Sequence, residues 1–317
     1  MACRFEVTLP GDSPHVAAAR RALDEADRLE AALTVFRDTS ELTRVNRTAA
    51  DGPAPVDDEL FALLSLCRQL SDETGGAFDI TSTPLSRCWG FLQRAGRLPA
   101  HDDIDRARTL VGAARVSLDP AGPSVQFATR GMELNLGSIG KGYALDRMAA
   151  RLHTDRVRDA LVSAAGSSVV ALGAPDAGWP IDVRSCRVAC GRLARVLLDG
   201  SGTAAHGLAL ATSGAGEQFI EVDGVRYGHV LDPRTGWPAS GVLSATVITR
   251  AAAVADALST AFLVGGVDFA QQYCAAHHDT LALLVSDDGS KRPVVIGDCR
   301  GATVDVCHEG HKRAEYV

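Results

Sequence analysis

Met132-Glu133-Leu134-Asn135-Leu136-Gly137-Ser138-Ile139-Gly140-Lys141-Gly142 runs from alternating residues, through closely spaced glycines, into a helix-forming stretch. The apolar/polar alternation over 132–136 predicts a strand, and the amphipathic segment from Tyr143 to His153 predicts a helix. A glycine-rich turn between the two lets backbone N–H groups and a helix N-terminus meet an anion. Lys141 adds a full positive charge there. The spacing is not that of a P-loop, nor is it a dinucleotide fingerprint. Taken alone, the passage is equally a tight turn carrying an exposed lysine.

Upstream, a first strand leads into a helical stretch over about 14–33. A second helix begins near Asp57, a good N-cap, with Leu60, Leu63, Leu64, Cys67 and Leu70 at helical spacing, and stops at Gly75-Gly76. Downstream, 160–232 reads as strand after strand. Asp223-Gly224, flanked by Phe219-Ile220-Glu221-Val222 and Val225-Arg226-Tyr227, is a hairpin signal. Asp232 to Gly236 is a turn by composition. A strand over 245–249 precedes an Ala-rich helix over about 251–263, and the polar tail after 306 is expected to fray. Helices and antiparallel strands are segregated and no linker divides the chain. The expectation is therefore a single α+β domain over 1–317 made of two intertwined halves. The strand-then-helix passages near 132–153 and 244–263 are candidates for an internal duplication.

With 317 residues, 46% of them hydrophobic and 22% charged, the chain can bury a full core. A formal charge of −7 argues against nonspecific binding to nucleic acid. The apolar run over 251–267 is interrupted by Asp256, so direct membrane insertion is not expected. Of eight cysteines only Cys186 and Cys190 are close together, which is a poor zinc framework and reads better as reduced structural thiols.

Three further features carry chemistry. Asp256 and Thr260 lie four apart on one helix face, with Ser259 beside them. A carboxylate and a hydroxyl are hard oxygen ligands that suit Mg²⁺ alongside substrate phosphates, although they are also an ordinary polar spot on an Ala-rich helix. His229, in Tyr227-Gly228-His229-Val230-Leu231-Asp232-Pro233, sits at a strand end before a turn, where an imidazole can move a proton near neutrality. Gly75-Gly76-Ala77-Phe78-Asp79-Ile80-Thr81 would let a flat ligand approach backbone, and Asp79 could bind a ribityl or ribose hydroxyl. The same residues also read as a helix stop followed by core aromatics.

The order of these segments resembles the ApbE family of FAD:protein FMN transferases. The resemblance is carried by 40–46, 75–85, 136–146, Ala211-Thr212-Ser213-Gly214, 227–238 and 255–261, and it spans nearly the whole chain. It implies an ApbE-like (T-fold-like) α+β fold with FAD in a cleft between its halves. It also implies Mg²⁺ held by Asp256, Thr260, Ser259 and the carbonyl of Ser138, with Lys141 neutralising phosphate. Met1, Phe36, Asn46, Ala77, Phe78, Asp79, Asn135, Lys141, Ser213, His229 and Val230 match positions that contact the flavin nucleotide. His229, Lys141 and Asp256 are the expected catalytic residues.

The implied reaction moves FMN from FAD to a Thr or Ser of an acceptor flavoprotein, typically a subunit of a membrane electron-transfer complex, and releases AMP. Water as the acceptor would make the protein an FAD pyrophosphatase instead, and loss of catalysis would leave an FAD carrier. The sequence departs from the family at Asn135, where a carboxylate is common, and at Ala165-Gly166-Ser167-Ser168, which replaces Gly-Gly-Asp. No signal peptide or lipobox is visible, so a cytoplasmic location is expected, or an exported one if the chain has been trimmed.

Overall fold

The computed structural model describes residues 3–184, 191–202, 207–216, 218–289 and 292–307. Its helices are α1 (Val16–Leu33), α2 (Glu41–Thr48), α3 (Asp58–Glu73), α4 (Thr83–Cys88), α5 (His101–Arg108), α6 (Gly140–Thr154) and α7 (Ala252–Ala276). The strands are β1 (Phe5–Thr8), β2 (Ala54–Pro55), β3 (Val116–Asp119), β4 (Ser124–Phe127), β5 (Ala160–Ala164), β6 (Ser168–Leu172), β7 (Trp179–Arg184) and β8 (Arg192–Leu198). They continue with β9 (Leu208–Gly214), β10 (Phe219–Val222), β11 (Val225–Gly228), β12 (Val242–Thr249), β13 (Thr280–Ser286), β14 (Val294–Asp298) and β15 (Ala302–Val306).

Seven strands form the central sheet in the order β1-β5-β6-β9-β12-β13-β14, every pair antiparallel. The two-residue period of a strand places successive side chains on opposite faces. Thus Ala209 and Ala211 pack under α1 and α6, while Leu208 and Leu210 face the other way. There they meet Val183, Ala194, Val196 and Leu198 of the three-stranded sheet β15-β8-β7. The result is three layers: helices, a wide sheet and a narrow sheet. The small residues on the helix side let α6 and α7 lie close to the strands, and α7 crosses β9, β12, β13 and β14.

The helix over 58–73 forms as expected. Asp57 caps it by accepting from Leu60 N at 2.7 Å, and Gly75 and Gly76 end it at φ 56° and 78°. The 219–228 hairpin also forms, with Asp223 and Gly224 at φ 52° and 76°. Two expectations need correction. The last helix runs on to Ala276 through a non-helical Gly266; by length and composition it could cross a membrane, but it is the central helix of the fold. Residues 132–136 are not a strand. Alternate side chains are buried there as the pattern demanded, yet Leu134 pairs with the Asn46 side chain and Asn135 N donates to Ile80 O at 2.8 Å. The passage before α6 therefore lacks the strand that precedes α7, and the two candidate repeat halves match only in their helices.

Candidate functional site

The site is built where α6 and α7 begin. Gly142 lies against the first turn of α7: a Cβ at this position would come 2.0 Å from the Ala252 carbonyl oxygen, so only glycine permits the approach. The residue before α7, Ala251, has no side chain that could cap it. Instead Asp146, from the second turn of α6, accepts from Ala252 N at 2.7 Å and from Ala253 N at 2.9 Å. Orphan N–H groups at a helix start are thereby satisfied from another helix.

Asp256 returns the contact. Its Oδ2 accepts from Gly142 N at 3.0 Å, and its Oδ1 accepts from Lys141 Nζ at 2.9 Å. The carboxylate is almost wholly buried, its side chain 2% exposed, and such a charge is tolerable only because both oxygens are paired. One turn on, Ser259 Oγ donates to the Asp256 carbonyl at 2.8 Å. Ser213 Oγ, from β9, lies 2.8 Å from Ser259 Oγ and 3.2 Å from Thr260 Oγ1. One carboxylate, three hydroxyls and the nearby Ser138 backbone make an all-oxygen set. No cluster of three His, Cys, Asp or Glu side chains that could hold a metal occurs among the described residues. An oxygen set with a single protein charge fits Mg²⁺ shared with a phosphorylated ligand better than a metal caged by protein alone.

A cavity of about 420 Å³ opens on this cluster. Lys141, Ser138, Ser213 and Thr260 line it, together with Ala77, Asp79, Asn135, Thr212, His229 and Val230. His229 follows β11, and the Gln218 carbonyl accepts from its backbone N at 3.0 Å. The same carbonyl lies 3.1 Å from its Nδ1. A carbonyl can only accept, so Nδ1 carries the proton and Nε2 is the basic nitrogen of the neutral ring. The loop beyond is pinned by Trp89, fully buried, whose Nε1 donates to Gly236 O at 2.9 Å and whose ring packs edge-on to Trp237.

A sequence model of the ApbE family matches residues 1–285. The chain belongs to the ApbE family. A Treponema pallidum protein named FAD:protein FMN transferase is 33% identical over 255 residues, covering 75% of this chain and 68% of that protein. A Vibrio cholerae protein of the same name is 27% identical over 287 residues, covering 88% and 84%. The crystal structure of an ApbE protein from Thermotoga maritima superposes with a TM-score of 0.79 at 31% identity, covering 91% of this chain and 92% of the other. The Pseudomonas stutzeri flavinyl transferase ApbE gives 0.78 at 29%, covering 93% and 94%.

Against the positions expected from ApbE, the cavity gathers Ala77, Asp79, Asn135, Ser138, Lys141, Ser213, His229, Val230 and Thr260. Asp256 and Ser259 lie buried behind this wall, joined to it by hydrogen bonds. Phe36 is 68% exposed and lines a neighbouring cavity of about 310 Å³ that shares Asn135, Gly137 and His229. Met1 lies outside the described residues, as do Cys186 and Cys190.

Several of these residues also make contacts within the protein that the sequence did not suggest. Phe78 is a core residue, 1% exposed, and lines no described cavity. Asn46 spends its amide on the main chain of Leu134, donating to O at 2.9 Å and accepting from N at 2.8 Å. Asp79 accepts from Thr81 N, Thr81 Oγ1 and Ala113 N at 2.8, 2.6 and 2.9 Å, so its oxygens are engaged within the protein. Asn135 Oδ1 accepts from Gly137 N at 2.9 Å, shaping the glycine turn with a neutral group. Sequence reading missed Asp146, whose partners are more than a hundred residues away, and the cavity-lining hydroxyls Ser82, Thr83 and Ser86. Those three were visible as a Ser-Thr-x-x-Ser pattern just past the Asp79 segment.

Proposed function

We propose that this ApbE chain transfers the FMN half of FAD to a Thr or Ser hydroxyl of an acceptor flavoprotein and releases AMP. The observation that carries the reading is the placing of two kinds of group around one cavity. Lys141 can neutralise phosphate, and His229 offers a basic nitrogen. The acceptor oxygen would attack the FMN phosphorus, the phosphoanhydride bond to AMP would break, and the hydroxyl proton would pass to His229 Nε2. Phosphoryl transfer asks the protein mainly for positioning and charge neutralisation.

Asp256, Thr260 and the Ser138 carbonyl, with Ser213 beside them in the lining and Ser259 buried behind, are the residues that would hold Mg²⁺. The ion would supply charge neutralisation at the pyrophosphate. Lys141 keeps the Asp256 carboxylate oriented, and the burial of Asp256 and Ser259 keeps water off that side of the cluster. Acceptors would be subunits of membrane electron-transfer complexes that expose a Thr or Ser in a short acidic motif.

The test is to incubate the protein with FAD, Mg²⁺ and an acceptor domain, then weigh the acceptor. A gain of one FMN residue, abolished by EDTA and by Asp256→Ala, is expected. AMP and free FMN with no mass gain would make water the acceptor and refute transfer.

A further inference from the structure

Among the described residues, none partners the side-chain hydroxyls of Ser82, Thr83 and Ser86, three residues on one turn beside the cavity. Thr83 is 1% exposed and lines the cavity, yet its Oγ1 has no hydrogen-bond partner. Ser82 occupies the N-cap position of α4, where a serine ordinarily caps, but its side chain makes no cap bond. Ser86, one turn later, also lines the cavity and makes no bond to the carbonyl four residues back. Elsewhere in this chain that bond is the habit. Thr48, Ser65, Thr74 and Thr154 donate to Arg44, Phe61, Leu70 and Ala150 at 3.0, 2.8, 2.7 and 3.0 Å. Ser82 and Ser86 can turn to solvent in the open cavity. Thr83 cannot, so its hydroxyl costs stability until something else supplies a partner.

The element that carries them is firmly held. Arg87 Nε and Nη2 donate to the two carboxylate oxygens of Glu133, both at 2.6 Å, and buried Trp89 closes the helix. The free hydroxyls therefore do not reflect a loose turn. Meanwhile Asp79, the carboxylate that looked suited to sugar hydroxyls, already accepts three hydrogen bonds from Thr81 and Ala113.

We infer that Ser82, Thr83 and Ser86 form a polyol-binding subsite of the nucleotide cavity, a conclusion that rests on the FAD-transfer reading above. Hydroxyl side chains both donate and accept, as the hydroxyls of a sugar chain do. A phosphate needs donors or cations, which Lys141 already provides. A threonine populates two χ1 rotamers in a helix, so Oγ1 and the methyl can exchange places as a ligand arrives. The shared ligand chemistry is a vicinal polyol, present in FAD both as the ribityl chain of the flavin and as the ribose of the adenosine.

Binding titrations of the full chain with FAD, FMN and AMP in the presence of Mg²⁺ test this, comparing wild type with Ser82→Ala/Thr83→Val/Ser86→Ala. A loss of at least tenfold in FMN affinity with AMP unaffected assigns the subsite to the ribityl chain. A loss confined to AMP assigns it to the ribose. Undiminished affinity for both overturns the inference while leaving FAD transfer standing, whereas a wild type that binds no FAD overturns both. Thr83→Val alone should melt at or above the wild-type temperature, because it removes an unpartnered hydroxyl. A clear drop in its melting temperature would show that Thr83 has a partner in the free protein and would likewise overturn the inference.

Discussion

Asp146 and Asp256 each accept hydrogen bonds from the first turn of the helix that carries the other. Asp146 on α6 holds Ala252 and Ala253, and Asp256 on α7 holds Gly142. The two helix starts are thus tied crosswise, with a carboxylate near each positive helix end. Replacing Asp146 with Ala leaves two N–H groups of α7 without their acceptor. A loss of about 1–2 kcal/mol in urea unfolding is expected. An unchanged unfolding midpoint would mean that α7 does not depend on this cap.

His229→Ala should separate binding from chemistry. The ring lines the cavity but is not part of the Lys141–Asp256 cluster. FAD affinity measured by titration should stay near wild type, while single-turnover flavin transfer falls by roughly 10²–10⁴-fold, the usual span for losing a general base. Transfer at the wild-type rate with FAD bound would remove His229 from the mechanism.

Asp79→Asn is expected to act on stability. The carboxylate accepts three hydrogen bonds and is 8% exposed. An amide oxygen cannot serve the same donors from both ends, so a buried N–H or hydroxyl goes unpaired, at a cost of about 1–3 kcal/mol. Denaturant unfolding measures this directly. A wild-type midpoint combined with a large loss of FAD affinity would restore Asp79 to a ligand-binding role.

The buried thiols give a pH dependence. Burial pushes Cys274 and Cys299 up to about 11, from an ordinary value of 9.0. Burial raises Cys67 as well. A folded pKa above the unfolded one means that the folded state holds the proton more tightly. The resulting stability is complete below about pH 9 and is lost as pH climbs towards 11. Urea midpoints should therefore fall across that window. At pH 8 iodoacetamide should leave Cys274 and Cys299 unmodified in the folded protein and label them once it is unfolded, as read by peptide mass.

Much of this architecture could be read from residue order alone, and the exceptions share one cause. Asp57 and the Gly75-Gly76 pair bound α3 because cap and stop signals act within a few residues of chain. Lys141, Thr260 and His229 were legible by type and spacing, and the fold brings all three to one cavity. Residues 132–136 misled because alternation reports which side chains are buried, and Met132, Leu134 and Leu136 are buried. It does not report where the backbone finds its partners, and here one partner is a side chain 88 residues away. The start of α7 has no local cap to read, since Asp146 supplies it from a different helix. Asp79 takes two bonds from nearby Thr81, but its third donor, the Ala113 N–H, is distant in sequence and could not be read there.

The contact between Gly142 and the Ala252 carbonyl has a consequence for how the cleft can evolve. A missing side chain sets the spacing of α6 and α7, and the crossed aspartates hold it, so the phosphate-facing side of the cavity has a fixed gauge. No graded series of larger residues at position 142 can widen it, because the first added carbon already collides with backbone. Room for a bulkier acceptor, or a changed preference among nucleotides, has to come from other parts of the lining. There Val230, Leu231 and Pro233 line the cavity from a loop that, among the described residues, makes no such backbone contact. One wall of the cavity is closed to variation, and the rest of the lining is where members of such a lineage can diverge.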